Sequence, residues 1–354
     1  MRRLSPIPSL AVLLLAACNF DAPKQYLVPD VRILAVASQV QPTISSAADP
    51  ELGETLQLDA LVANPRNRAA PVLSWFACNP PTLEEPLNPC LREEWLRDPD
   101  RFETATAADH VYRIPGATET VSLNLAPPAP GDPADPAREG LLAAAATALT
   151  QKLWLATPSA ENPDARPDCE LFATLPLVIV ARTEGVTEVA LKRVRITPTA
   201  LLRASFPTAK DYYLLNNNPG VGAVQANPTD LDKCTGGTPV DSTCAGPIDC
   251  NGGVCGADGY CVLPTGNLTL CARASTTLQQ PWQCPADGPP YLEDETLEWQ
   301  WYVSAGTIAG TGFDGNAVAD DIDLQPPSGQ FTLWAILRDG RGGTRWVLRT
   351  LDPP

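Results

Sequence analysis

The chain has 354 residues, a formal net charge of −16 and 44% hydrophobic content, enough apolar material for more than one core. So acidic a surface repels nucleic acid and anionic lipid headgroups, which excludes nucleic-acid binding; the charge otherwise serves the solubility of an exported protein. Proline, at 38 residues, is about twice its usual ~5% share. It cuts the chain into short segments and favours strands over long helices.

In chain order, Met1-Arg2-Arg3 is a short basic start, and Leu10 to Ala17 is an apolar run ending in small residues. These are the parts of a secretory signal. The run is far shorter than the roughly 20 residues that span a bilayer. Leu15-Ala16-Ala17-Cys18 resembles the lipobox of bacterial lipoproteins. The resemblance implies a diacylglyceryl thioether on Cys18, cleavage before it and acylation, such as palmitoylation, of the new amino terminus. Several acyl chains make a stable tether where one does not. Arg2-Arg3 stands without the rest of a twin-arginine motif. Asn19 is not the Asp that favours inner-membrane retention in some bacteria, so the expected address is the outer membrane, on either face. Residues 1–17 are read as signal peptide and 18–30 as tether.

Residues 31–198 are predicted to form a first β-sandwich. Val31 to Val36 reads as a strand, Glu54 to Leu61 alternates with period two, and Val72 to Cys78 is a third strand carrying Trp75. Leu177 to Arg182 and Val189 to Ile196 form a hairpin across Thr183-Glu184-Gly185-Val186, with Gly185 at a positive-φ position. A helical insert of about 80–160 separates them. Within it, Asp135 caps a helix that starts at Pro136, with Leu142, Ala145, Leu149 and Leu153 on its apolar face. Glu84 to Arg97 is read as a shorter helix, and Cys78 and Cys90 are close enough to bridge across it.

Residues 199–218 read as a linker that runs into Asn216-Asn217-Asn218-Pro219-Gly220 turn chemistry. A second sandwich occupies 219–354. Its first strand is Val221 to Val224, and Leu297 to Val303 puts Leu297, Trp299, Trp301 and Val303 on one face. Phe331 to Leu337 and Arg345 to Leu348 flank the turn Asp339-Gly340-Arg341-Gly342-Gly343. With Phe331, Leu333, Ala335 and Leu337 inward, Trp334 and Ile336 face out, and Trp346 and Leu348 lie opposite them. An apolar outer face calls for cover. Either the first sandwich supplies it or these four residues form a partner surface.

With Cys18 set aside, ten of the 11 cysteines remain: Cys78, Cys90, Cys169, Cys234, Cys244, Cys250, Cys255, Cys261, Cys271 and Cys284. An even remainder in an exported chain reads as a disulfide set of open connectivity. Zinc is disfavoured, because no Cys-x-x-Cys pair occurs and His110 is the single histidine. Seven of these cysteines fall in an insert of about 232–286, where apolar material is too sparse for a core and disulfides must hold the chain. Asp249 to Cys261 resembles small cysteine-rich modules of bacterial surface proteins.

Val31-Arg32-Ile33-Leu34-Ala35-Val36, Gly53-Glu54-Thr55-Leu56, Trp299-Gln300-Trp301 and Leu337 to Gly343 together resemble the immunoglobulin-like repeats of bacterial outer-membrane lipoproteins. The resemblance covers about a third of the chain. It implies a mainly β fold of two immunoglobulin-like β-sandwich domains, used for surface display or binding. The helical and cysteine-rich inserts depart from it.

Equipment for catalysis is sparse. A Ser-His-Asp or Cys-His site would need His110, in Asp109-His110-Val111-Tyr112-Arg113, read as a solvated residue at a strand edge. No Gly-x-Ser-x-Gly elbow and no phosphate-binding Gly-x-x-x-x-Gly-Lys-Ser/Thr loop occurs. No cofactor is expected; calcium is the least poor choice, on a loop carrying Asp314, Asn316, Asp320, Asp321 and Asp323 without EF-hand spacing. Asn267-Leu268-Thr269 matches a glycosylation sequon and carries little weight here. The expectation is a lipid-anchored, non-enzymatic envelope protein that engages a protein or glycan partner through displayed inserts. The alternative is a structural subunit of a secretion or polysaccharide-export complex, and a hydrolase is less favoured.

Overall fold

The computed structural model describes residues 26–41, 47–66, 69–82, 93–156, 171–198, 216–240, 243–251, 254–256, 258–275, 282–283, 291–309 and 318–351. Outside that set lie the signal peptide and Cys18, Cys90, Cys169, Cys284, Asp314, Asn316 and residues 199–215 of the predicted linker.

The chain is mainly β, as predicted. Its first seven strands are β1 (Arg32–Gln41), β2 (Thr55–Ala63), β3 (Val72–Cys78), β4 (Val111–Ile114), β5 (Thr120–Asn124), β6 (Ala173–Thr183) and β7 (Val186–Ile196). They form two antiparallel sheets, β1-β2-β5 and β4-β3-β6-β7. The inner faces share one core around Leu56, Leu58, Trp75, Ile114, Leu123, Leu175 and Ile179. Strand β2 shows why: Leu56, Leu58 and Ala60 are buried, while Gln57 and Asp59 between them are half-exposed. Trp75, fully buried, donates its indole N–H to Thr118 O at 3.0 Å, so its polar end is satisfied. The β6–β7 hairpin turns at Gly185, with φ +71°, as the turn chemistry predicted.

The stretch 80–160 is not one helical insert. It contains β4 and β5, one strand for each sheet, and three helices, α1 (Glu93–Arg97), α2 (Asp100–Glu103) and α3 (Pro136–Ala156). Each of these strands offers only two side chains to the core between the sheets, Tyr112 and Ile114 from β4 and Val121 and Leu123 from β5. That is too short a pattern to stand out. Helix α3 starts as predicted: Asp135 Oδ1 accepts from Arg138 N at 3.1 Å, and Pro136 occupies the first turn. Its buried face is Leu141, Ala145, Ala148, Leu149 and Leu153, whereas Leu142 is only half-buried. Helix α3 packs on β4 and β6. On the outer face of the same sheet, Trp95 of α1 and Phe102 of α2 cover Phe76, Val178 and Val180.

The second half contains β8 (Val221–Ala226), β9 (Thr238–Pro239), β10 (Leu268–Ala274), β11 (Trp282–Gln283), β12 (Tyr291–Leu292), β13 (Leu297–Val303), β14 (Thr307–Ala309), β15 (Ala319–Gln325), β16 (Phe331–Asp339) and β17 (Thr344–Leu351). Sheets β14-β15-β10-β8-β9 and β13-β16-β17 face each other, and β11 pairs with β12. The core between them holds Leu270, Ile322, Leu324, Leu333 and Leu337 with Trp299 and Trp301, whose rings stack 6.2 Å apart. The pairing order of the first sandwich recurs, since β8-β10-β15 repeats β1-β2-β5 and β13-β16-β17 repeats β3-β6-β7.

The cysteine-rich segment sits between β8 and β10. Among the described residues it holds three disulfides, Cys234–Cys271, Cys244–Cys255 and Cys250–Cys261, the first of which staples it to β10. Cys78 is also disulfide-bonded. The module rests on β17, where the Arg349 guanidinium lies 3.3 Å above the Tyr260 ring and 2.7 Å from the Asp258 carboxylate. At the other edge of that sheet, the end of the tether pairs with β13. Val28 N donates to Val303 O and Val303 N to Tyr26 O, each at 2.9 Å.

Candidate functional site

In a sandwich, β1 and β7 are the free edges of opposite sheets on one side. Here the β16–β17 hairpin closes that side. Trp334 and Ile336, 2% and 0% exposed, pack against Val28, Leu34, Ala35, Leu61 and Ala63. Trp346 and Leu348 do stand opposite Ile336 and Trp334. The four residues are therefore not one open partner surface: Trp334 and Ile336 are buried against the first sandwich, Trp346 is half-buried, and Leu348 alone is exposed, at 51%.

Polar groups line the rest of this seam. Arg338 donates to Leu34 O at 2.8 Å and to Gln300 Oε1, and Asn218 Nδ2 donates to Ser38 O at 2.6 Å. Two edge carbonyls of β1 are thereby covered, which blocks further strand pairing there. The predicted turn chemistry around Asn216 is buried in the seam. Asn216 and Asn218 are 0% and 3% exposed, and Asn218 Oδ1 accepts from Thr344 N at 3.0 Å.

The hairpin turn is organised by its first residue. Asp339 accepts from Arg341 N at 2.8 Å, Gly343 N at 2.7 Å and Asn216 Nδ2 at 3.3 Å. A Cβ on Gly343 would lie 2.2 Å from Asp339 Oδ2, so the carboxylate's seat requires glycine there.

Facing Asp339 is Lys192 of β7, whose Nζ donates to Gly342 O. Lys192 shares its strand face with Ala190, Val194 and Ile196, all packed on the first core. Burial pushes its amine down to about 8, and Arg338 adds to this, while Asp339 and Asp49 oppose it. Asp49 is 4% exposed. Burial raises its carboxyl to about 7, helped by Asp339 and opposed by Arg195, Arg341 and Lys192. Beside this cluster is a cleft of about 510 Å³, lined by Ile33 to Val36, Pro176, Leu177, Ala190 to Arg193 and residues Arg338 to Gly340 and Gly342 to Thr344 of the turn. It offers an apolar wall and a few charged groups, a combination suited to holding a ligand.

The other predicted residues lie elsewhere. His110 ends a 3₁₀ turn (Ala107–Asp109) in the left-handed conformation, its Nδ1 3.1 Å from Asn79 Nδ2, far in the fold from the seam. Of the calcium candidates, the three among the described residues lie on a strand. Asp320, Asp321 and Asp323 belong to β15, whose alternation sends Asp320 to one face and the other two to the opposite face. Asp320 Oδ2 accepts from Trp301 Nε1 at 2.7 Å, and Asp323 Oδ1 from Thr269 Oγ1 at 2.9 Å. Cys244, Cys250 and Cys261 have sulfurs within 4.8 Å of one another, but each is in a disulfide.

Sequence reasoning missed Asp49 and Lys192 as a pair. The one signal was Lys192 itself, a charge at an inward position of an alternating strand.

No family model and no curated protein matches the chain. Among solved structures, the fibronectin(III)-like modules of Clostridium thermocellum CbhA match at 8% identity and a TM-score of 0.17, covering 89% of this chain and 93% of that one. Dimeric latent PorU from Porphyromonas gingivalis matches at 9% identity and a TM-score of 0.19, covering 92% of this chain and 24% of that one. Superpositions this loose carry no argument, and the assignment of two β-sandwiches with a disulfide-rich insertion rests on the strand pairing and the cores themselves.

Proposed function

We propose that this chain is a lipid-anchored envelope protein, held outside the cytoplasm through Cys18, that displays a rigid pair of sandwiches to a protein partner without catalysing a reaction. The disulfide framework is the observation that carries this reading. Three bridges hold a segment with little core of its own, and such bridges persist in oxidising compartments. That compartment is the one to which the lipobox-like Leu15-Ala16-Ala17-Cys18 directs a chain.

A protein partner is favoured over a glycan by what the cysteine-rich module exposes. Ile248, Val254 and Val262 are 88%, 65% and 43% exposed on a module that disulfides keep from collapsing over them. Val262 N donates to Val254 O at 2.8 Å, so these two lie side by side. Exposed aliphatic side chains suit a protein surface, whereas glycan binding favours exposed aromatic rings.

Cross-linking on intact cells, followed by purification of the full chain from solubilised envelope and mass spectrometry, tests the reading. A reproducible protein partner, reduced by Ile248→Asp and Val254→Asp, is the expected outcome. Recovery of the chain in the cytoplasmic fraction, or of glycan alone on it, would contradict the proposal.

A further inference from the structure

The seam cleft has features that the display reading does not use. Its volume of about 510 Å³ falls within the roughly 300–1,000 Å³ of small-molecule sites, and junctions between domains are where such sites concentrate. One wall is apolar, formed by Ile33, Val36 and Ala190, and Lys192 and Arg338 line the same cleft.

Charge sets the sign of a ligand. Arg195, Arg338 and Arg341 surround Lys192 and its neighbours, against Asp49 and Asp339. Asp339 is already held by two backbone N–H groups and an amide. Asp49 is buried deeply enough to hold its proton toward neutral pH. The seam is therefore locally positive inside a chain whose net charge is −16. Lys192 carries three N–H donors, and one goes to Gly342 O. A ligand that places an anionic group on the remaining donors and an apolar chain along the wall satisfies both ends of the cleft.

We propose that the seam cleft binds a small anionic amphiphile, its head on Lys192 and its aliphatic chain along Ile33, Val36 and Ala190. The site is independent of the anchor and of the partner surface on the cysteine-rich module. An inward Lys also blunts an edge strand, and a purely structural role of that kind is the outcome that would sink the idea.

Calorimetric titration of the full chain with octanoate, octanol and acetate at neutral pH separates these. Octanoate is expected to bind at one site, and octanol and acetate each about tenfold more weakly or worse, the loss of one charge-assisted contact or of the apolar one. Lys192→Met and Lys192→Gln are expected to weaken octanoate about tenfold, and Arg97→Gln, on exposed helix α1 outside the cleft lining, to leave it unchanged. Thermal melts of each variant report folding; if Lys192→Met does not fold, Lys192→Gln carries the test. No saturable octanoate binding, or equal affinity in wild type and the Lys192 variants, overturns the proposal and leaves Lys192 an edge guard. Octanol binding as tightly as octanoate removes the anionic head, and acetate binding as tightly removes the chain; either overturns the proposal as stated.

Discussion

Asp49 shows how position outweighs residue type. It lies in a short polar segment where the sequence offers no reason to single it out, yet it is 4% exposed. Burial raises its carboxyl from 3.8 to about 7, and three nearby cations only partly offset the desolvation. The sign of the pH effect follows. The unfolded chain loses this proton near the usual carboxylate range, and the folded chain keeps it until about 7. Asp49 therefore favours the fold fully below the unfolded value, and this contribution is lost as pH rises from about 4 to about 7, by roughly a few kcal/mol. Asp49→Asn is expected to flatten the stability curve across that window, measured by urea unfolding at a series of pH values, and to leave the variant at least as stable as wild type at pH 8. An unchanged pH dependence would place the titration elsewhere. Lys192 was legible in principle. In the β7 alternation of Ala190, Lys192, Val194 and Ile196 it is the one polar member. Its partners were not legible, because Asp49 comes beside β7 only through the bond from Thr197 N to Pro50 O, and Asp339 only through the docking of the two sandwiches.

At the scale of elements, legibility tracked how many residues repeat a pattern. Strand β13 alternates buried and half-buried over all seven residues, Leu297 to Val303, and was read without error. Helix α3 was placed from its cap, and its face was read correctly at Ala145, Leu149 and Leu153 but missed Leu141, beside the half-buried Leu142. In an Ala-rich helix, alanine sits on every face and few leucines mark the stripe. The helix still contributes real core. Leu149 is fully buried and Leu155 is 40% exposed. Leu149→Ala is expected to cost about 2–5 kcal/mol and Leu155→Ala about 0.5 kcal/mol or less; equal losses in urea unfolding would contradict the packing described. The cysteine-rich module depends on bonds in place of packing. Replacing both Cys234 and Cys271 by Ala opens a bridge of sequence separation 37 and is expected to cost about 2–4 kcal/mol. Limited proteolysis is then expected to cut first between β8 and β10. A digestion pattern identical to wild type would show that docking by Arg349 and Tyr260 holds the module unaided.

The whole molecule is organised by one seam and one point of attachment. Trp334 and Ile336 were read as outward and in need of cover, and β1 and β2 provide it, so the two sandwiches share a buried apolar contact as well as the polar cluster. The chain entering from the tether first hydrogen-bonds to β13 of the second sandwich and only then becomes β1 of the first. Both sandwiches are thus secured at the start of the described chain. Register carries this across the sheet: Val303 stands opposite Leu333, and Leu333 opposite Arg349, the residue that seats the cysteine-rich module. The module and the incoming tether are at the same end. Eight positions separate Cys18 from Tyr26, a reach of at most about 28 Å. On the proposed anchoring, the β13 edge of the second sandwich stands within that reach of the membrane. Everything in that arrangement depends on Cys18. Metabolic labelling of cells with a clickable palmitate analogue, with the chain then isolated and its amino-terminal peptide identified, tests it most directly. The account predicts label on a chain that begins at Cys18, and neither label nor cleavage at that point in Cys18→Ala. A chain that carries no label, or one labelled equally after Cys18→Ala, would contradict it.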